Sequence, residues 1–125
     1  MDLFFGGNMK KFYIILEEVM KEIKKEVLPI IKLKEPIIYC GARGKYLGKY
    51  LGFDYINNKY NRPIIRLNCS ECLRNKDLPL YTILLTTILH ELGHALQEIK
   101  GKTFNEDEAE DFAYDYWSTG TINKI

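Results

Sequence analysis

At 125 residues the chain is the size of one domain, long enough to bury a core without disulfide or metal staples. Hydrophobic residues at 46% and charged residues at 28% are ordinary for a globular fold, and three cysteines cannot make a fully paired disulfide framework. Lys plus Arg is 18 and Asp plus Glu is 17, a net charge of +1 that supplies no electrostatic reason to expect a nucleic-acid or membrane partner.

The charge is unevenly spread. Residues 10–76 hold 15 basic and 7 acidic side chains, and residues 106–115 hold six acids and no base. The basic residues alternate with acids and form no stripe, so a solvated surface is expected rather than a nucleic-acid face. The opening Leu3-Phe4-Phe5 is too short for a secretory signal, and no apolar run approaches the roughly 20 residues that span a bilayer. A cytoplasmic protein, monomer or homodimer, is the expectation.

Residues 1–8 read as a loose start interrupted by Gly6-Gly7. Apolar residues then recur at Phe12, Ile15, Leu16, Val19, Met20, Ile23 and Val27, which predicts a helix over residues 9–28. Pro29 and Pro36 bracket a connector. Beyond it the period changes: Ile37-Ile38-Tyr39-Cys40 reads as a strand, and residues 46–56 as a second, bent at Gly48 or Gly52. Asn57-Asn58 predicts a turn, and Pro63 to Leu67 a third strand. The middle of the chain is thus expected to form a small, mainly antiparallel three-stranded sheet, and the whole an α+β domain. Cys69-Ser70-Glu71-Cys72 has C-x-x-C spacing, but no histidine is spare to complete a metal site, and a thioredoxin-like βαβ context is lacking. A loop with locally stabilising cysteines is expected there.

A long apolar-periodic run follows from Leu80 to Ile99, with Asp77 and Pro79 ahead of it and Gly101 behind. Within it stands His90-Glu91-Leu92-Gly93-His94, and the chain's only two histidines are these. Residues four apart share a helix face, so His90 and His94 can hold one Zn²⁺ while Glu91 acts as base toward a water molecule. At about 100° per residue, Leu85, Ile88, Leu89, Leu92, Ala95, Leu96 and Ile99 gather on one arc. His90, Glu91, His94, Thr87 and Glu98 gather on the other. A surface His-Glu-His patch would show the same spacing. A di-iron carboxylate bundle is excluded, because it needs a second E-x-x-H and no histidine remains.

A catalytic zinc needs a third protein ligand. The acidic segment over residues 105–118 is the source, with Asn105 as N-cap and Glu108 in a capping-box position. Acids in a first turn also favour the helix dipole for structural reasons alone. Glu106, Ala109, Glu110, Ala113 and Trp117 form one stripe, whose alanines allow close packing on the preceding helix. Glu106 then points at the metal and Glu110 holds a histidine from behind. Glu108 and Glu110 stay open as alternative ligands.

With both segments in hand, the chain resembles the gluzincin metallopeptidases. The His90–His94 run matches their H-E-x-x-H helix, and Glu106 to Ala113 resembles the E-x-x-A-D/N-x-F-A segment of their glutamate helix. The resemblance implies Glu106 as third zinc ligand, and it departs at Glu110, where the family has Asp or Asn. In size and pattern the chain is similar to the minigluzincins and to the catalytic domains of integral-membrane gluzincin peptidases. It also bears some likeness to ImmA-type domains, which leaves a regulatory zinc-binding module without general protease activity as the alternative. The resemblance implies a zinc-dependent endopeptidase acting on a peptide or unfolded protein, with Glu91 as base and Tyr114 or Tyr116 as candidate oxyanion stabiliser. A peptide would join a sheet edge over residues 50–56. It also raises a latent form in which the tail, residues 119–125, covers the cleft, with a frayed terminus after Gly120 as the open alternative.

Overall fold

The computed structural model describes residues 7–41, 44–56, 59–123 and 125. The predicted turn at Asn57-Asn58 and most of the expected loose start lie outside these residues. Helix α1 (Gly7–Glu22) begins earlier than its apolar period suggests and buries Phe12, Val19 and Met20. It runs into a π-helical turn (Ile23–Val27) and a short helix α2 (Leu28–Ile31). Pro29 explains the irregularity. It has no N–H to bond four residues back and its ring crowds that carbonyl, so the preceding turn widens, and the Leu28 N–H reaches the Ile23 carbonyl instead. The helical path therefore continues past the predicted stop, to Lys32 in the left-handed region at φ 59°.

Strands β1 (Ile37–Gly41), β2 (Gly48–Asp54) and β3 (Lys59–Asn68) form one mixed sheet in the order β1-β3-β2. The expected antiparallel pairing holds for β2 and β3, whereas β1 and β3 are parallel, in register from Ile37 opposite Ile64 to Gly41 opposite Asn68. Successive strands reverse direction, so the first and third run the same way, and the third lies between the other two. The expected bend falls in β2: Tyr50 opposes Ile65 and Phe53 opposes Pro63, which leaves one extra residue on β2, and Gly52 sits there at φ 101°. Pro63, inside the central strand rather than at its start, is tolerated beside that irregularity and before the parallel ladder begins.

Cys69-Ser70-Glu71-Cys72 opens a helix, α3 (Cys69–Arg74), where a loop is expected from the sequence. Asn68 caps it by accepting the Glu71 N–H at 3.1 Å. Helix α4 (Leu80–Ile99) is the hub of the domain: α1, α3, β2, β3 and a last helix, α5 (Glu106–Thr119), all touch it. Leu84, Ile88, Leu89 and Leu92 are completely buried. Each such side chain contributes about 1.5–3 kcal/mol of transfer free energy. α4 begins at the predicted Leu80, though Pro79 rather than Asp77 is its N-cap residue.

Against α4 lies α5, as the small-residue stripe implies. A Cβ built on Gly93 would stand 3.1 Å from Ala109 Cα and 3.2 Å from its Cβ, so glycine permits the helices their close approach. Beyond α5, Gly120 ends the helix at φ 72°. The tail turns along the Asp107–Asp111–Asp115 face, where Asn123 Nδ2 donates to Asp115 and Ile122 and Ile125 reach the core. No described helix is long and apolar enough to cross a membrane.

Candidate metal centre

One line of polar side chains runs along α4 through Thr87, Glu91, His94 and Gln97, all buried, with His90 beside it and partly exposed. Polar groups on a buried helix need partners. Most come from α5, whose N-cap Asn105 accepts the Glu108 N–H at 2.9 Å and so sets where Glu106, the first helical residue, starts.

The carboxylate of Glu106 lies between the two imidazoles. Its Oε1 is 2.5 Å from His94 Nε2 and its Oε2 3.2 Å from His90 Nε2. The ligand atoms of these three residues all fall within 4.8 Å of one another, a group that can hold a metal ion, and no other such group of His, Cys, Asp or Glu occurs among the described residues. Neighbouring donors around a tetrahedral ion with 2.0–2.1 Å bonds lie about 3.4 Å apart. The wider pair is near that spacing, and the narrower one requires Glu106, whose side chain is 76% exposed, to draw back.

The far nitrogens of both rings are occupied. His90 Nδ1 is 2.9 Å from Glu110 Oε2, and His94 Nδ1 is 2.8 Å from Gln97 Oε1. Each ring meets an oxygen at Nδ1, the arrangement that leaves Nε2 as the ligand atom. The longer Glu110 thus spans the distance at the position where the resembled family carries Asp or Asn.

Glu91 lies beside this cluster with 7% of its surface exposed. Burial pushes its carboxyl above the ordinary range, against the opposing pull of His90, His94 and a hydrogen bond from the Tyr50 backbone N–H. For Glu106 partial burial acts upward too, but His94 and His90 outweigh it and hold the carboxyl below the ordinary range. A cleft of about 260 Å³ opens here, lined by Leu47, Gly48, Thr86, Thr87, His90, Glu91, Glu106 and Glu110. A Cβ at Gly48 would stand 2.6 Å from Thr87 Cγ2, so glycine lets β2 cross this close to α4.

Neither tyrosine expected near the site lines the cleft. Tyr116 is buried and donates to Glu22 Oε2 at 2.7 Å, joining α5 to α1, while Tyr114 is half-exposed and its ring lies tilted against Trp117 with centroids 5.7 Å apart. Their places follow from the helix: α5 buries Tyr116 with Phe112 and leaves Tyr114 outside. The tail's described residues do not line the cleft either. Glu108 turns away from the metal cluster to Lys102 and Gln97. Two contributors escape the sequence reading. Gln97, the chain's single glutamine, stands one turn beyond His94, a spacing that could have flagged it. Phe104 packs its ring 5.2 Å from His94 and 6.0 Å from Tyr50, and a connector residue carries no such signal.

The other metal-like motif gathers no site. Cys40, Cys69 and Cys72 are free thiols; Cys69 and Cys72 are buried, their Sγ atoms 3.7 Å from the carbonyls of Gly41 and Leu47. Compared with known families, curated proteins and solved structures, the chain matches none, so what it does must be read from the geometry of this site.

Proposed function

We propose that the chain is a zinc-dependent endopeptidase of gluzincin type. The observation that carries the reading is the meeting of His90, His94 and Glu106 beside a cleft that His90, Glu106 and the buried Glu91 help to line. Two imidazoles and one carboxylate are the ligand set of a catalytic zinc with a position left open, and borderline nitrogen donors favour zinc over the harder magnesium or calcium. When bound, the ion would supply Lewis acidity toward a peptide carbonyl and make water a better nucleophile at neutral pH.

The chain's own residues do the rest. Glu91 takes a proton from the attacking water and returns it to the departing amine nitrogen, a task suited to a carboxyl raised by burial. Glu110 and Gln97 hold the imidazoles in orientation. Strand β2 is an edge of the sheet, and its first residue Gly48, with Leu47 just before it, borders the cleft, so an extended peptide can add there by backbone pairing. That moves the expected substrate edge from residues 50–56 toward residues 47–50. The described residues of the tail lie along another face of α5, which supports an open cleft over one the tail keeps latent.

The deciding experiment pairs zinc analysis with peptide hydrolysis in wild type and Glu91→Gln. One zinc per chain in both, with hydrolysis reduced by about 10²- to 10⁴-fold in the variant, is expected for loss of a general base. Zinc binding without hydrolysis in the wild type would favour the regulatory module of ImmA-like type. Equal hydrolysis in the two proteins would remove Glu91 from the mechanism.

A further inference from the structure

The amide of Gln97 is completely buried, and all four of its hydrogen-bonding capacities are used. Its Oε1 faces His94 Nδ1 at 2.8 Å and the Asn105 backbone N–H at 3.2 Å. Its Nε2 donates to the Asn105 carbonyl and to Glu108 Oε1, each at 2.9 Å. Two of these partners are backbone groups, whose polarity is unalterable. Turning the amide over would set NH₂ against an N–H, and oxygen against a carbonyl and a carboxylate, in a buried site where each mismatch is costly. Asn105 therefore dictates which end of Gln97 meets His94, and that end is an acceptor.

We infer that Gln97 is a positioning residue that locks His94 as the Nδ1–H form, leaving its Nε2 lone pair for an ion held between it and Glu106, and so sets the metal affinity of the site. The inference rests on the zinc reading above. The two histidines differ in this respect. His90 is held by Glu110, whose side chain is 66% exposed to solvent, whereas His94 is held by a completely buried amide. Asn105 also caps α5 immediately before Glu106, so one residue fixes both the amide that orients the second ligand and the start of the helix carrying the third.

The test is zinc affinity by chelator competition, with melting of the metal-free proteins followed alongside. Gln97→Leu is expected to bind zinc roughly 10- to 100-fold more weakly, the usual effect of losing a group that orients a ligand. The double variant Gln97→Glu with Glu108→Gln keeps an acceptor for His94 while losing the donor to Asn105. It should be less stable than wild type yet bind zinc more tightly than Gln97→Leu, a split that a purely structural role would not produce. In zinc-loaded wild type, NMR should find His94 protonated at Nδ1, with that proton exchanging more slowly than its His90 counterpart. Wild-type affinity in Gln97→Leu, no recovery in the double variant, or an unprotonated Nδ1 would each overturn the inference while leaving the zinc reading intact. A wild-type chain that binds no zinc would overturn both.

Discussion

Cys69 and Cys72 stand three residues apart on α3, and His90 and His94 four apart on α4, so each pair comes onto one helix face with metal-ligand spacing. The outcomes diverge because of what surrounds them. Around the cysteines, carbonyl oxygens face the thiols, and burial, reinforced by Cys69, Cys40 and Glu71, pushes Cys72 up to about 12. That disfavours the thiolate a metal needs. Around the histidines, oxygens of Glu110 and Gln97 stand at the rear nitrogens, a carboxylate from another helix faces the front ones, and a cleft admits solvent. Spacing along one helix is therefore half a site, and the second half is a neighbour of opposite chemical character.

This contrast can be broken at its strongest point by Glu106→Ala. Zinc affinity should fall by more than about 100-fold, beyond the range typical of groups that only orient a ligand; titration against a chelator measures it. Retained affinity would show that α5 adds nothing to the histidine pair. Next in size is Gly93→Ala, whose methyl would meet Ala109 at 3.1–3.2 Å and require α5 to give by a few tenths of an ångström. Overpacking costs about 1–3 kcal/mol and alanine's better helix propensity returns about 1 kcal/mol, so a net loss of up to about 2 kcal/mol in urea unfolding is expected, with weaker zinc binding because Glu106 rides on α5. Unchanged stability and affinity would mean that the helix contact is not tight.

The cysteine side of the contrast predicts a small effect. Cys72→Ala should cost roughly 1 kcal/mol, as for a modest buried truncation, and leave zinc content unchanged. In the folded wild type Cys72 should resist alkylation until the chain is unfolded. Rapid labelling under native conditions would contradict its burial. The smallest expected effect is at Glu108, whose carboxyl is held below the ordinary value of 4.5 by hydrogen bonds from Lys102 and then Gln97. A depressed folded-state pKa adds stability above the unfolded value, and this is lost as pH falls through the folded pKa. In metal-free protein the melting temperature of wild type should exceed that of Glu108→Gln slightly at about pH 7 and converge with it near about pH 3. A gap that widens on acidification would reverse the assigned sign.

Much of this was legible along the chain because it depends on local periodicity. The apolar spacing of α1 and α4, the small stripe of α5 and the extra residue in β2 each leave a mark on neighbouring residues. Other outcomes depart from what the apolar pattern suggests, some through adjacent residues and some through distant ones. Pro29 reads as a stop but is absorbed by a widened turn, and the cysteine pair reads as a loop but is capped into a helix by Asn68. Tyr114 and Tyr116 sit near the site in sequence, yet the pitch of α5 sends one to Glu22 and the other to Trp117.

The residues themselves settled that two histidines share a helix face with a glutamate between them, because helix pitch makes i and i+4 neighbours whatever the fold. They also settled that α5 could come close, since Gly93, Ala109 and Ala113 leave room. Only the tertiary structure decided that Glu106, among the six acids of residues 106–115, stands between the imidazoles, and that Gln97 holds one of them. Those placements rest on the docking of α5 and on the polarity of the Asn105 backbone, which become visible only once the two helices are joined in space.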